Sequence, residues 1–147
     1  MKLLEKIQFA DLDKIPQLIK YFLAGNIEDF RSENFSLQNI EHKIQVRKEH
    51  FSSETRSVLS QVLEKQMKTV VLSEKQENHL NMIRDENTFT VTTGHQLNLF
   101  TGPVFFIYKI LQTIKTCQFL KKYLPEYQFV PVFWMATEDH DFEEINH

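Results

Sequence analysis

The sequence predicts an α/β fold, a run of helices followed by the first β-α-β unit of a parallel sheet. Three observations predict it. Apolar residues recur at helical spacing up to about residue 87, apolar and β-branched polar residues alternate from Thr88 to Thr93, and a near-continuous apolar run fills Gln128 to Ala136. A period near 3.6 residues marks a helix with one buried face and a period of two marks a half-buried strand. An unbroken short apolar run marks a strand covered on both faces of a parallel sheet.

In chain order, Asp13 can cap a first helix with Pro16 in its first turn. Ile15, Leu18, Ile19, Phe22 and Leu23 form its stripe, and Gly25 is a natural residue to end it. Ser36 can start a second helix through Leu37, Ile40, Ile44 and Val46, and Ser52 or Ser53 a third through Val58, Leu59, Val62, Leu63 and Met67. Ser73 and Gln76 match a capping box for a fourth helix ending near Arg84. These helices are read as packing elements with their polar residues on solvated faces. The first strand follows and ends at Gly94. Thr101 or Gly102 then caps a helix with Pro103 as its first residue, where a missing N–H costs nothing.

That helix should reach Tyr123 and stop before Pro125. Phe106, Ile107, Ile110, Leu111, Ile114, Cys117 and Leu124 fall on one stripe, with Phe105, Tyr108 and Phe119 on a second patch, so two neighbours are expected. In the second strand Pro131 is a dissent, because proline removes a ladder hydrogen bond and belongs at a strand start, a bulge or an edge. The chain therefore divides into a helical region, 1–87, and the incomplete start of a sheet domain, 88–147. Two parallel strands and one crossover helix are too little for an independent sheet, so the chain reads as the front of a longer protein.

With 147 residues, 41% hydrophobic and 25% charged, the composition is that of a soluble globular protein. The net charge of -3 and pI near 6.1 lack the basic field of a nucleic-acid binder. Cys117 is the single cysteine, which excludes an intrachain disulfide and a thiolate zinc site. The first residues carry no apolar core of a leader, and no stretch approaches the ~18 apolar residues of a span. A cytoplasmic protein without a membrane partner is expected.

Thirteen phenylalanines face only three glycines, and two of those glycines, Gly94 and Gly102, bracket one long loop. In a right-handed β-α-β unit both strand ends and the helix N-terminus share one edge, where open α/β sheets bind ligands. Gly94, His95 and Gln96 leave the first strand at that edge, and Glu138, Asp139, His140 and Asp141 follow the second. The N–H groups near Thr101, Gly102 and Pro103 favour a phosphate or carboxylate. Neither a dinucleotide fingerprint nor a P-loop is present, so a simple tight turn is the alternative there. His95 and Gln96 can hydrogen-bond a substrate or merely satisfy nearby backbone. The crowded acids can serve as acid or base, or hold an ammonium group or a metal, whereas Glu143 and Glu144 fit an ordinary solvated helix start.

Thr93-Gly94-His95-Gln96, Leu99-Phe100-Thr101-Gly102-Pro103, Tyr108-Lys109 and the run from Pro131 through Glu144 together resemble the cysteine-adding enzyme of bacillithiol biosynthesis. The resemblance is close over the last two fifths of the chain. It implies a ligase that joins cysteine to the amino group of glucosaminyl malate. It also implies a Rossmann-like core with inserted segments and a coiled coil, a homodimer, and a nucleotide (ATP/ADP) as activating agent with no metal. On that resemblance His95, Asp139, His140 and Asp141 are the candidate catalytic residues. Gly94, Gln96, Thr101, Gly102 and Glu138 are the candidate binders of substrate or nucleotide. Two other readings of the residues stay open: a metal-dependent hydrolase with His95, Asp139, His140 and Asp141 as ligands, and a non-catalytic helical interaction module.

Overall fold

The computed structural model describes residues 7–33, 35–96 and 102–136. They fall into two compact units, one ending at Gln45 and one beginning at Val46. The first unit holds two 3-10 turns, Phe9–Asp11 and Glu28–Glu33, the helix α1 (Gln17–Leu23) and most of α2 (Leu37–His50). Helix α1 starts later than Asp13 would place it, with Pro16 as an extended N-cap at φ -54 and ψ 140. The cause is local: proline drives the residue before it out of the helical region, so Ile15 cannot join the helix. Gly25 ends it as expected, at φ 71. Its N–H donates to the Phe22 carbonyl at 3.0 Å and the Asn26 N–H to that of Tyr21 at 2.9 Å, the paired bonds of a Schellman close. Ser36 caps α2 by accepting from the Asn39 N–H at 3.1 Å.

The second unit contains α3 (Ser53–Met67), α4 (Glu74–Met82), β1 (Thr88–Gln96), α5 (Val104–Tyr123) and β2 (Gln128–Ala136). Of the two serines available to cap α3, Ser52 does so, accepting from the Thr55 N–H at 3.2 Å. The capping box of α4 is complete: the Gln76 N–H donates to Ser73 Oγ and the Ser73 N–H to Gln76 Oε1.

Strands β1 and β2 pair in parallel from Thr88↔Gln128 to Gln96↔Ala136, joined through α5. The fold is thus α/β with helices preceding one β-α-β unit. Gly94 does not end β1; Gly94, His95 and Gln96 continue it opposite Trp134, Met135 and Ala136. Here glycine serves a close approach instead of a turn. A Cβ at Gly94 would lie 3.0 Å from the Trp134 carbonyl oxygen and 3.1 Å from Trp134 Cβ. Pro131 sits in unbroken register opposite Val91. The Gln128 N–H donates to the Asn87 carbonyl at 2.8 Å, and alternate residues of a parallel strand bond the same neighbour. Residues 128, 130, 132 and 134 therefore bond β1, and the Pro131 nitrogen faces away from it at no cost to the ladder. By the same parity, the Thr88 and Gly94 carbonyls of β1 face away from β2.

Helix α5 packs on the sheet through Thr113, Cys117, Leu120 and Leu124, against a core that includes Tyr127, Phe129 and Val130. Its buried face is rotated from the expected stripe, for Ile107 and Leu111 are 44% and 52% exposed. Thr113 can be buried because its hydroxyl donates to the Lys109 carbonyl at 2.9 Å, which satisfies the polar atom within the helix. Phe105, Tyr108 and Phe119 are exposed.

Helix α3 departs from an ordinary solvated pattern. Arg56 is only 5% exposed. Its Nη1 donates to the carbonyls of Ile83 at 3.2 Å and Thr88 at 3.0 Å, and its Nη2 to that of Glu86 at 3.2 Å. The guanidinium also lies 5.1 Å from the Phe51 ring and 5.7 Å from that of Phe89. One side chain thus joins α3, the end of α4 and the outer edge of β1. Burial pushes the Arg56 pKa down, and the charges of Asp85 and Glu86 oppose that shift. A cleft of about 380 Å³ lined by Arg47, Phe51, Arg56, Leu59, Thr88 and Thr90 opens beside it.

Candidate functional site

The end of β1 brings His95 against the start of α5. Its imidazole lies 5.1 Å from the Phe105 ring and 5.8 Å from that of Phe106, and Phe106 meets Phe133 of β2 at 5.2 Å. Residues on one face of a strand are two apart, so Thr93 and His95 of β1 share a face with their partners Phe133 and Met135. The ring contacts identify this as the face that α5 covers. A half-buried imidazole in an aromatic corner is held in one orientation, which a group that positions a reactant requires.

His95 Nδ1 lies 3.0 Å from the Gln96 carbonyl oxygen. A carbonyl only accepts, so Nδ1 carries the proton there and Nε2 is the basic nitrogen of the neutral ring. Gln96, half-buried, closes the strand opposite Ala136.

Gly102 adopts φ 59, a left-handed conformation that favours glycine. Pro103 follows as the N-cap of α5 at φ -70 and ψ 151, so the helix begins at Val104, one residue later than expected. An extended proline cannot be the first helical residue, and the Phe106 N–H closes the first turn on the Pro103 carbonyl at 2.9 Å. Pro103 supplies no side-chain cap, and the first turn holds no acid. The α5 dipole therefore leaves positive potential beside the end of β1.

Lys109 adds a full charge to that potential. Its Nζ donates to the Gly94 carbonyl at 3.2 Å and lies 5.5 Å from the Phe105 ring. Phe105 and Lys109 are four apart on α5, so they share one face, and the same ring meets His95. In the sequence Lys109 stood out only through Tyr108-Lys109 in the family resemblance, which gave it no role, and through this i, i+4 spacing.

Of the sequence-predicted residues, Gly94, His95, Gln96 and Gly102 are placed at this edge. Thr101, Glu138, Asp139, His140 and Asp141 lie outside the described residues. Among the described residues no three His, Cys, Asp or Glu side chains gather as metal ligands would, and no helix is long and apolar enough to cross a membrane. The isolated histidine of α4, His79, is half-buried, and burial, then Lys75, hold its pKa below the usual histidine value. Cys117 is buried against the sheet, and burial pushes its thiol up to about 11, which makes it a poor nucleophile.

A family model described as "Bacillithiol biosynthesis BshC, N-terminal Rossmann-like domain" matches residues 4–147. A protein of Flavobacterium psychrophilum named "Putative cysteine ligase BshC" is 50% identical over 113 residues, which are 76% of this chain and 21% of that protein. Its namesake in Flavobacterium johnsoniae is 48% identical over 112 residues, 76% of this chain and 21% of the relative. The namesake in Cytophaga hutchinsonii is 39% identical over 145 residues, 97% of this chain and 27% of the relative. The matched part of the chain thus spans about a fifth to a quarter of these relatives.

Proposed function

Because the chain belongs to the bacillithiol biosynthesis BshC family, of which it carries the N-terminal Rossmann-like domain, we propose that the full-length protein is a ligase that joins cysteine to the amino group of glucosaminyl malate. The observation that carries the reading beyond membership is the shared edge. The end of β1 and the start of α5 meet there, with His95 held between Phe105 and Phe106. Open α/β sheets bind ligands at this edge.

In the reaction the C–N bond forms between the sugar amine and the cysteine carboxyl carbon. The amine loses a proton and the carboxyl loses an oxygen with its leaving group. A nucleotide supplies the free energy and the leaving group. Its phosphates fit this edge, where α5 has an acid-free first turn. His95, basic at Nε2, is positioned to take the proton of the attacking amine or to hold a donor of the sugar. Gly94 and Gln96 shape the strand end on which the reactant rests, and Thr101 and Gly102 lead into the helix start that faces its anionic groups. Glu138, Asp139, His140 and Asp141 follow β2 directly in sequence, and their role is to hold the sugar hydroxyls and the amine. The working protein is a cytoplasmic homodimer with a coiled coil contributed by the rest of the polypeptide.

The test replaces His95 and, separately, Asp139 by alanine in the full-length protein and measures bacillithiol formation. A loss of turnover of about 100-fold or more is expected for at least one variant, the size of a lost acid–base group. Unchanged turnover in both refutes the site assignment. Activity that survives exhaustive chelation counts against the metal-dependent hydrolase.

A further inference from the structure

We infer that Lys109 binds an anionic group of a reactant, a carboxylate or a phosphoryl group, at the open end of β1. The inference rests on the ligase reading of this edge and adds to it a binding residue. Three observations converge on it. Lys109 Nζ is directed at the strand end, donating to the Gly94 carbonyl at 3.2 Å and lying 5.5 Å from the Phe105 ring. That carbonyl uses one of the three ammonium donors and the other two remain for a ligand. The charge also stands near the N-terminal end of α5, in its second turn behind a first turn with no acid, where the two add to one positive potential. Among the described residues no carboxylate pairs with Lys109, which leaves its charge open to an incoming anion.

The third observation is the neighbour. Phe105 meets both Lys109 Nζ, at 5.5 Å, and the His95 imidazole, at 5.1 Å, so one ring lies against an ammonium and an imidazole. Such an arrangement holds the charged end of a reactant on Lys109 while a nearby polar group meets His95. A purely structural Lys109 would only cap the Gly94 carbonyl, which faces away from β2.

The test uses full-length wild type, Lys109→Gln and Lys109→Arg, with ATP, L-malate and L-cysteine titrated separately by calorimetry. Loss of one charge-assisted contact predicts that one of these probes binds Lys109→Gln about 10- to 100-fold more weakly, with Lys109→Arg close to wild type. Weakened ATP assigns Lys109 to phosphoryl binding; weakened malate or cysteine assigns it to a carboxylate. Thermal midpoints within error of wild type separate binding from folding. The inference is overturned if every probe binds Lys109→Gln as it binds wild type, or if none binds wild type. Product formation by wild type is assayed independently, and its absence overturns the ligase reading whatever Lys109 does.

Discussion

Replacing Arg56 by methionine should unclamp β1 from α3 without emptying the space between Phe51 and Phe89. Methionine keeps an apolar stem against both rings and removes the three donated hydrogen bonds to the carbonyls of Ile83, Thr88 and Glu86. A hydrogen bond from a charged donor contributes about 1.5–3 kcal/mol net. Two effects reduce the sum: the variant no longer pays to desolvate a guanidinium, and the adjoining cleft lets water reach some of the abandoned carbonyls. About 3 kcal/mol remains, or about 1 kcal/mol per bond. The loss is local, so amide hydrogen exchange read by mass spectrometry over residues 86–92 is the proper assay. About 3 kcal/mol predicts roughly 100-fold faster exchange there, with α5 much less affected. Lysine, a single point donor, can meet some of the three carbonyls and should fall between. Exchange over 86–92 within about threefold of wild type in Arg56→Met would refute the clamp, because that is under 1 kcal/mol.

Gly94→Ala should strain the strand pair, since its Cβ would press on the Trp134 carbonyl at 3.0 Å. A cost of about 1–3 kcal/mol, as for overpacking, would appear as faster exchange across 92–96, and unaltered exchange there would contradict the close-approach role. Gly25→Ala forces a Cβ onto a φ of 71 and should cost the close of α1 about 1–2 kcal/mol, read as faster exchange over 17–23. Burial raises the Cys117 thiol from 9.0 to about 11, so the unfolded chain ionises first as pH rises. Its contribution to stability is full below pH 9 and is lost between pH 9 and about 11. The thermal midpoint of Cys117→Ala should fall less steeply than that of wild type across this window, and parallel curves would contradict the burial.

Much of the fold was legible because its signals are local. Capping needs a serine and the residues after it, and Ser36, Ser52 and Ser73 all cap where the sequence places them. The two strands and the crossover helix follow from period and from Pro125. The misses share a cause, namely partners that pattern does not encode. Arg56 counts as polar on a helical wheel, yet its acceptors are backbone carbonyls up to 32 residues away. Thr113 is buried because it bonds its own helix, and Ile107 and Leu111 are exposed in its stead. Glycine after an alternating run reads as a stop, but β2 extends far enough to pair Gly94, His95 and Gln96, so β1 continues. At the site, the meeting of His95 with the α5 start followed from β-α-β topology. The ring that links His95 to Lys109 did not, since that contact depends on where one phenylalanine points.

In the proposed function this domain forms part of a carbon–nitrogen ligase site. The most direct measurement incubates purified full-length protein with glucosaminyl malate, isotopically labelled cysteine and ATP, and follows the mass of the sugar product. The expected result is a product heavier by one labelled cysteinyl group, dependent on ATP and strongly reduced in at least one of His95→Ala and Asp139→Ala. Unmodified glucosaminyl malate after prolonged incubation, or its hydrolysis in place of addition, would contradict it.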